Sequence, residues 1–364
     1  MQAQGPLKGV KIVEFVGLGP APFAAMLLSD MGADVIRIDR PGAFGTGAAD
    51  VLARGRRSVA LNLKDETDQA RCRALVGQAD ILLEGYRPGV MERLGFGPDD
   101  MLKLNPALVY GRMTGWGQFG PLAHAAGHDI NYISLSGALG AIGTAETPVA
   151  PLNLVGDFGG GALYLAMGVL AAMHHARANG QGQVVDAAIV DGSASLMASQ
   201  YQLMALGLWK TERAANLLDG AAHFYSIYEC ADGRHISLGP LEPEFYALFC
   251  EKAGIDAGTI PADWSGKNWA EAKSVFEALF KSRSRDEWCE LLEGTDACFA
   301  PVLTYEEAHK HPHMVERGTF QSVEGVMQPS PAPRFSHTPS AIQGAASQPG
   351  ADTADVLKDW GVEI

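Results

Sequence analysis

The stretch Gly9–Asp39, GVKIVEFVGLGPAPFAAMLLSDMGADVIRID, decides the fold. Gly9 to Val16 is an apolar, β-branched run, Asp34 to Asp39 is another, and Ala24 to Met31 between them has helical period. The opening therefore reads as βαβ. Working outward, Ser58 to Leu63, Asp80 to Glu84 and Leu108 to Met113 are further strand candidates, and Glu66 to Gln78 supplies a second helix. Strands alternating with helices at this spacing predict an α/β fold, a doubly wound, Rossmann-like parallel sheet.

From about Asp129 the character becomes helical. Asp157 stands where a helix N-cap belongs, ahead of a long run ending at the breakers Asn179-Gly180-Gln181-Gly182, and Asp191 to Leu206 reads as another helix. Tyr225 to Cys230 and His235 to Leu238 flank Ala231-Asp232-Gly233 as a hairpin. Helices follow at Glu242 to Ala253, Trp269 to Lys281 and Arg285 to Glu293, and proline punctuates Gln328 to Pro333. Thr353 to Trp360 is a last helix suited to packing back on the first domain. With 364 residues, two domains are expected. The large one covers 1–190, completed by 330–364; 191–222 is a linker helix, and 223–329 is a smaller α+β domain.

Net charge is −14, which argues against nucleic acid as a partner. The charge is uneven: up to Arg112 there are 14 Lys and Arg against 13 Asp and Glu, leaving 14 against 29 for the rest. Within that neutral first third, Arg54, Arg56 and Arg57 crowd together, either as an anion site or as a solvated basic loop. The five cysteines include no C-x-x-C and suit reduced thiols in a cytoplasm. Met1 to Pro6 begins no signal peptide, and the tail Gly361 to Ile364 carries no peroxisomal or lipidation signal. Gly159 to Met173 is the longest apolar stretch; at that length it reads as a buried helix, so no membrane association is expected.

Two apparent motifs fail on chemistry. Gly17-Leu18-Gly19 with Asp39 imitates the dinucleotide fingerprint, but Pro20 and Pro22 remove N–H donors where a pyrophosphate needs them, and Pro22 takes the third glycine position. His309, His311 and His313 alternate through Pro312 in no common ligand spacing, so no metal is expected.

Three segments carry acid–base residues at loop-to-helix junctions: Gly127-His128-Asp129-Ile130-Asn131-Tyr132, Asn153-Leu154-Val155-Gly156-Asp157, and Leu241-Glu242-Pro243. A His, an Asp and a Glu make a workable acid–base set. Plainer readings stand beside it. Asp157 and Asp129 are good N-caps by type, Glu242 before Pro243 is an ordinary helix start, and His128 suits a buried carbonyl.

These segments resemble the α-methylacyl-CoA racemase family, within family III of the CoA-transferases. The resemblance runs from Leu7-Lys8-Gly9-Val10 to Pro331-Ala332-Pro333-Arg334-Phe335-Ser336. It includes Met113-Thr114-Gly115-Trp116-Gly117-Gln118, Glu84-Gly85-Tyr86-Arg87-Pro88-Gly89 and Val185-Asp186-Ala187-Ala188. It implies His128 and Asp157 as two catalytic bases, with Asp129 beside them, Glu242 paired to the histidine and Asn153 holding the aspartate. It further implies Arg40, Leu61, Asn62, Leu63, Lys64, Gly85, Tyr86, Arg87, Arg93, Gly127, Ile130, Asn131 and Tyr132 as CoA-binding positions. An interlocked homodimer is implied too, each site taking Glu242 from the partner chain. The sequence departs from the family pattern at His223 (usually proline), Ser226 (commonly Asp) and Pro240-Leu241 (Ala-Ile). All three lie on the small-domain side of the expected pocket and bear on substrate range.

The residue types suit the implied reaction. A thioester acidifies the C2 hydrogen of its acyl chain, and inversion needs one group to remove a proton and another to return one on the opposite face. An imidazole with an ordinary pKa near ~6.5 can do either. Asp157 must spend part of the cycle protonated, which burial would favour. Backbone N–H groups at the helix start near Asp129 suit the enolate oxygen, and Met113, Met197 and Met204 an adaptable acyl surface. CoA is part of the substrate, and no cofactor is required. The alternatives are a family III CoA-transferase with Asp157 as nucleophile and a non-catalytic CoA-binding module.

Overall fold

The computed structural model describes residues 4–256, 258 and 260–362. The termini, where targeting signals would sit, therefore lie partly outside the described residues.

Six parallel strands form the main sheet: β1 (Lys11–Phe15), β2 (Asp34–Asp39), β3 (Arg57–Ala60), β4 (Ile81–Glu84), β5 (Val109–Thr114) and β6 (Gln183–Ala188), in the order β3-β2-β1-β4-β5-β6. The first five match the sequence expectation within a few residues. The sixth was not foreseen, because QVVDAA is largely exposed over its first half and lacks the apolar run of a buried strand. Side chains alternate across the sheet. Ile12, Val35, Ile81, Leu83 and Val109 face one apolar layer with helix α1 (Pro20–Asp30), while Val13, Phe15, Ile36, Ile38, Leu82 and Tyr110 face the other. The second layer includes α2 (Glu66–Val76) and the C-terminal helix Thr353–Asp359, whose Val356 and Leu357 are buried. That helix does pack back on the sheet, tied at its start by Asp352, whose carboxylate accepts the Ser58 N–H at 2.8 Å.

The strand order reverses between β1 and β4: β2 lies on one side of β1 and β4 on the other. Loops leaving the carboxyl ends of these two strands diverge there, opening the crevice in which α/β sheets commonly bind ligands.

Arg54, Arg56 and Arg57 form neither an anion site nor a solvated loop. Arg54 is buried and bidentate to Asp30 (2.6 and 3.2 Å), with further bonds to Gln328 and the Pro329 carbonyl. Arg56 is buried against Glu14, and Arg57 bridges Asp34 and Asp359. Their charge is consumed by carboxylates distant in sequence, which is why local crowding misled. Asp157 is not an N-cap: it lies inside a π-helical segment, Leu154–Ala162, that runs straight into helix Leu163–Asn179. The whole helix spans 26 residues, so by length and composition it could cross a membrane, contrary to the shorter run read from sequence. Its Leu165, Val169 and Ala172 pack into the core beneath the sheet. Asp191 to Leu206 is two helices, Ile189–Leu196 and Ala198–Ala205.

Chain contacts define two units. The first comprises Met1–Ser136, Leu152–Met197 and Glu316–Ile364; the second comprises Gly137–Pro151 and Ala198–Val315. These divisions differ from the sequence boundaries for local reasons. Arg213 donates to the carbonyls of Gly140 and Thr144, holding 137–151 to the second unit. Arg54 reaches Gln328 and Pro329 of the hairpin Phe320–Pro329, holding that hairpin to the first.

The second unit contains an antiparallel sheet of β7 (Ser226–Glu229), β8 (His235–Leu238) and β9 (Phe299–Pro301). An aromatic core of Phe224, Tyr228, Phe249, Phe276, Phe280 and Trp288 fills it. His223 belongs to this core. It is 1% exposed, edge-on to Phe224 and Phe276, with Nε2 at 3.2 Å from the Tyr246 hydroxyl. A pocket-facing role for this departure is thereby replaced by a packing one.

Candidate active site

Within the first unit a cleft of 690 Å³ opens at the reversal point between β1 and β4. One wall is Val16, Gly17 and Leu18, the turn leaving β1; another is Gly85, Tyr86 and Arg87, leaving β4; Met113 to Trp116 and Ala125 to His128 complete it. A second hollow of 590 Å³ is lined by Leu61, Asn62, Leu63 and Lys64 and shares Arg40 and Tyr86 with the first. Gly17 and Leu18 of the turn that imitates a dinucleotide fingerprint thus line the cleft, although that sequence signal pointed to other chemistry.

His128 is the N-cap of the short helix Asp129–Leu135, and it lines the cleft from an exposed position. Asp129, the first residue of that helix, accepts the Asp157 N–H through Oδ1 at 2.6 Å. This bond links the two junctions that carry the candidate bases. The Asp157 carboxylate lies against the bare Cα of Gly19, where an added Cβ would sit 3.3 Å from Oδ2. Gly19 has φ +73°, a conformation that excludes most side chains, so one residue serves both the turn and the carboxylate. Burial pushes the Asp157 carboxyl group up from its usual range, and the Asp129 charge pushes it further. A hydrogen bond from Asn153 and the nearby His128 pull it partly back.

The π-helical backbone packs closely against its neighbour. An added Cβ on Gly160 would come within 2.6 Å of the Ser193 backbone on helix Ile189–Leu196. Widened turns of this type recur at functional sites, where they re-aim one side chain within an otherwise regular helix.

Among the positions implied for CoA, Arg40, Gly85, Tyr86, Arg87, Gly127 and Tyr132 line the cleft, and Leu61 to Lys64 line the second hollow. Glu84 is fully buried; it pairs with Arg112 and accepts the Tyr86 N–H at 2.7 Å, bracing the loop that carries Tyr86 and Arg87. Arg93, Ile130 and Asn131 line neither hollow. Of the three methionines proposed for an acyl surface, Met113 lines the cleft; Met197 does not, and Met204 lies on helix Ala198–Ala205 of the second unit. Two N–H groups at the expected oxyanion-binding helix start, those of Asn131 and Tyr132, are taken by the His128 carbonyl.

Glu242 stands in the second unit as N-cap of helix Pro243–Ala253, exposed and making no side-chain bond to that helix. Among the described residues no group of three or more His, Cys, Asp or Glu is arranged to hold a metal ion. Residues missed by sequence reading are the cleft walls Val16 to Leu18, Ala123, Ala125 and Ala126, small or apolar positions with no chemical signature of their own.

A doubly wound sheet with an acid–base pair at its reversal point, and a long two-part hollow beside it, defines a class rather than a single reaction. The chain belongs to CoA-transferase family III, which it matches over residues 7–353. It is 44% identical to the alpha-methylacyl-CoA racemase of Mus musculus over 98% of this chain and 93% of that protein. The Homo sapiens alpha-methylacyl-CoA racemase is also 44% identical, again over 98% and 93%. The crystal structure of a CAIB/BAIF family protein from Brucella suis shares the fold, with a TM-score of 0.83 at 23% identity, covering 98% of this chain and 100% of that one.

Proposed function

We infer that this enzyme racemises 2-methylacyl-CoA thioesters, with His128 and Asp157 as the two bases. The observation that carries this reading is an imidazole on the cleft wall with, tied to the same helix start through Asp129 and close enough to feel the His128 charge, a carboxyl group whose pKa burial has raised. One base takes the C2 hydrogen as a proton, and the C–H electron pair delocalises onto the thioester oxygen as an enolate. The other base delivers a proton to the opposite face. A carboxyl group whose pKa is raised by burial can serve as acid in one direction and base in the other. The chemistry requires no metal or redox cofactor, because the thioester carbonyl is itself the electron sink.

CoA would lie along the two hollows, with Arg40 and Arg87 facing its phosphates. Arg40 is exposed beside the Tyr86 phenol, and Lys64 lines the further hollow. Glu242 would reach His128 from the partner chain of an interlocked dimer. The exposed apolar residues Leu163 and Met167, one helical turn apart on Leu163–Asn179, support a covered face there. The five cysteines are free thiols, which suits the cytoplasm.

The test is C2 hydrogen–deuterium exchange of a 2-methylacyl-CoA in D₂O alongside loss of optical activity. Wild type is expected to do both, and His128→Ala or Asp157→Asn to lose about 10²–10⁴-fold in racemisation. A double variant keeping full activity would overturn the assignment. The second reading is CoA transfer, in which Asp157 attacks the thioester to form an acyl anhydride and expels the CoA thiolate. Family membership favours it, and transfer to a free acid acceptor without C2 exchange would establish it.

A further inference from the structure

The segment Gly127–Tyr132 turns its polar groups onto its own backbone. Asn131 Oδ1 accepts the His128 N–H at 3.0 Å. The His128 carbonyl accepts the N–H groups of Asn131 (2.8 Å) and Tyr132 (3.3 Å). The Tyr132 hydroxyl donates to the Gly127 carbonyl. Both peptide groups flanking the His128 Cα are therefore pinned from a single helical turn. Its backbone stays extended, at φ −134° and ψ 174°, with only the side-chain torsions free.

The Tyr132 ring is itself immobilised. It lies in a slot bordered by two glycines: an added Cβ would come within 1.9 Å of the ring at Gly115 and 2.8 Å at Gly127. Trp116 packs edge-on at 4.7 Å, and the ring also rests against the apolar layer that holds α1. A rigid arm thus runs from the core to the peptide preceding the imidazole. The single hydroxyl proton of Tyr132 is spent on that peptide, not offered to the cleft.

Resting on the two-base reading, we propose that Asn131 and Tyr132 are positioning residues for His128 rather than contacts to CoA. Misplacing a catalytic group by about 1 Å can cost on the order of 10²-fold in rate, so such a brace has a use beyond folding. Tyr132→Phe keeps the ring in its slot and removes only the hydroxyl.

The expected result for Tyr132→Phe is a fall in kcat of about tenfold, with KM for the acyl-CoA unchanged. A second readout isolates His128. With each enantiomer supplied separately in D₂O, the one whose C2 hydrogen faces Asp157 should keep exchanging with retention, while its inversion falls. Asn131→Ala, at an exposed position, should show the same asymmetry, and Asn131→Asp, which retains an acceptor, should restore inversion. A rise in KM without change in kcat, or equal loss of exchange and inversion from both enantiomers, would overturn the proposal. Wild-type enzyme that shows no C2 exchange would instead remove the racemase reading on which it stands.

Discussion

At the scale of single residues, Asp157 takes its chemistry from its neighbours. Asp129 raises its carboxyl pKa and Asn153 lowers it, so their removal should act in opposite directions. Asp129→Asn deletes a like charge while keeping an oxygen to accept the Asp157 N–H. The pH at which Asp157 loses its proton should then fall, moving that limb of the pH–rate profile for racemisation to lower pH. Asn153→Ala should move the same limb to higher pH. His223 offers a stability counterpart. Burial among aromatic rings pushes its pKa down to about 4, with only Asp263 opposing. In the unfolded chain the imidazole takes up a proton near ~6.5. Below that pH the unfolded state binds more protons, so stability should fall as pH drops toward about 4, by on the order of 3 kcal/mol in total. Denaturant midpoints measured from pH 7 to pH 4 should differ between wild type and His223→Leu by this slope, the variant losing less stability as the pH falls. The sequence exposed the identities of these residues; neither shift was legible, since both arise from groups brought close by folding.

At the scale of elements, the charged residues in and after the first strands divide into two sets that sequence could not separate. Arg54 and Arg56 are sealed against Asp30 and Glu14, whereas Arg40, in the loop after β2, is exposed at the cleft. Removing one member of a buried pair leaves the other charge unpaired, at a cost of about 3–5 kcal/mol. Arg54→Met should therefore lower the unfolding midpoint without altering KM for an acyl-CoA. Arg40→Met should raise KM, with a weaker salt dependence, and leave the midpoint nearly unchanged. The long helix makes a related point. Its apolar run was visible in Gly159 to Met173, but the π-helical start that aims Asp157 at Gly19 was not. Within that widened segment, Gly160 closely approaches the backbone of Ser193, 33 positions away in sequence, a contact no local pattern announces.

At the scale of the whole molecule, the two-unit chain places His128 and Asp157 in one unit and Glu242 in the other. If each site draws Glu242 from a partner chain, inactive His128→Ala and Glu242→Ala homodimers should complement each other. Co-refolded in equal amounts, they should recover about a quarter of wild-type activity, since half of the dimers would carry one intact site. Recovery of none, with mixed dimers present, would place Glu242 and His128 of a working site on the same chain.

The sequence by itself determined the alternation of strands and helices, because hydrophobic period is a local property of neighbouring residues. It also supplied the acid–base residue types at their helix junctions. Only the tertiary structure decided which arginines are sealed against carboxylates, that His223 is core, and that the β1–α1 turn, the β4 loop and the Gly127–Tyr132 helix start share one cleft. Those facts depend on strand order and on contacts between residues far apart in the chain. No local pattern encodes them, since a side chain's partners and desolvation are set by what folding brings beside it.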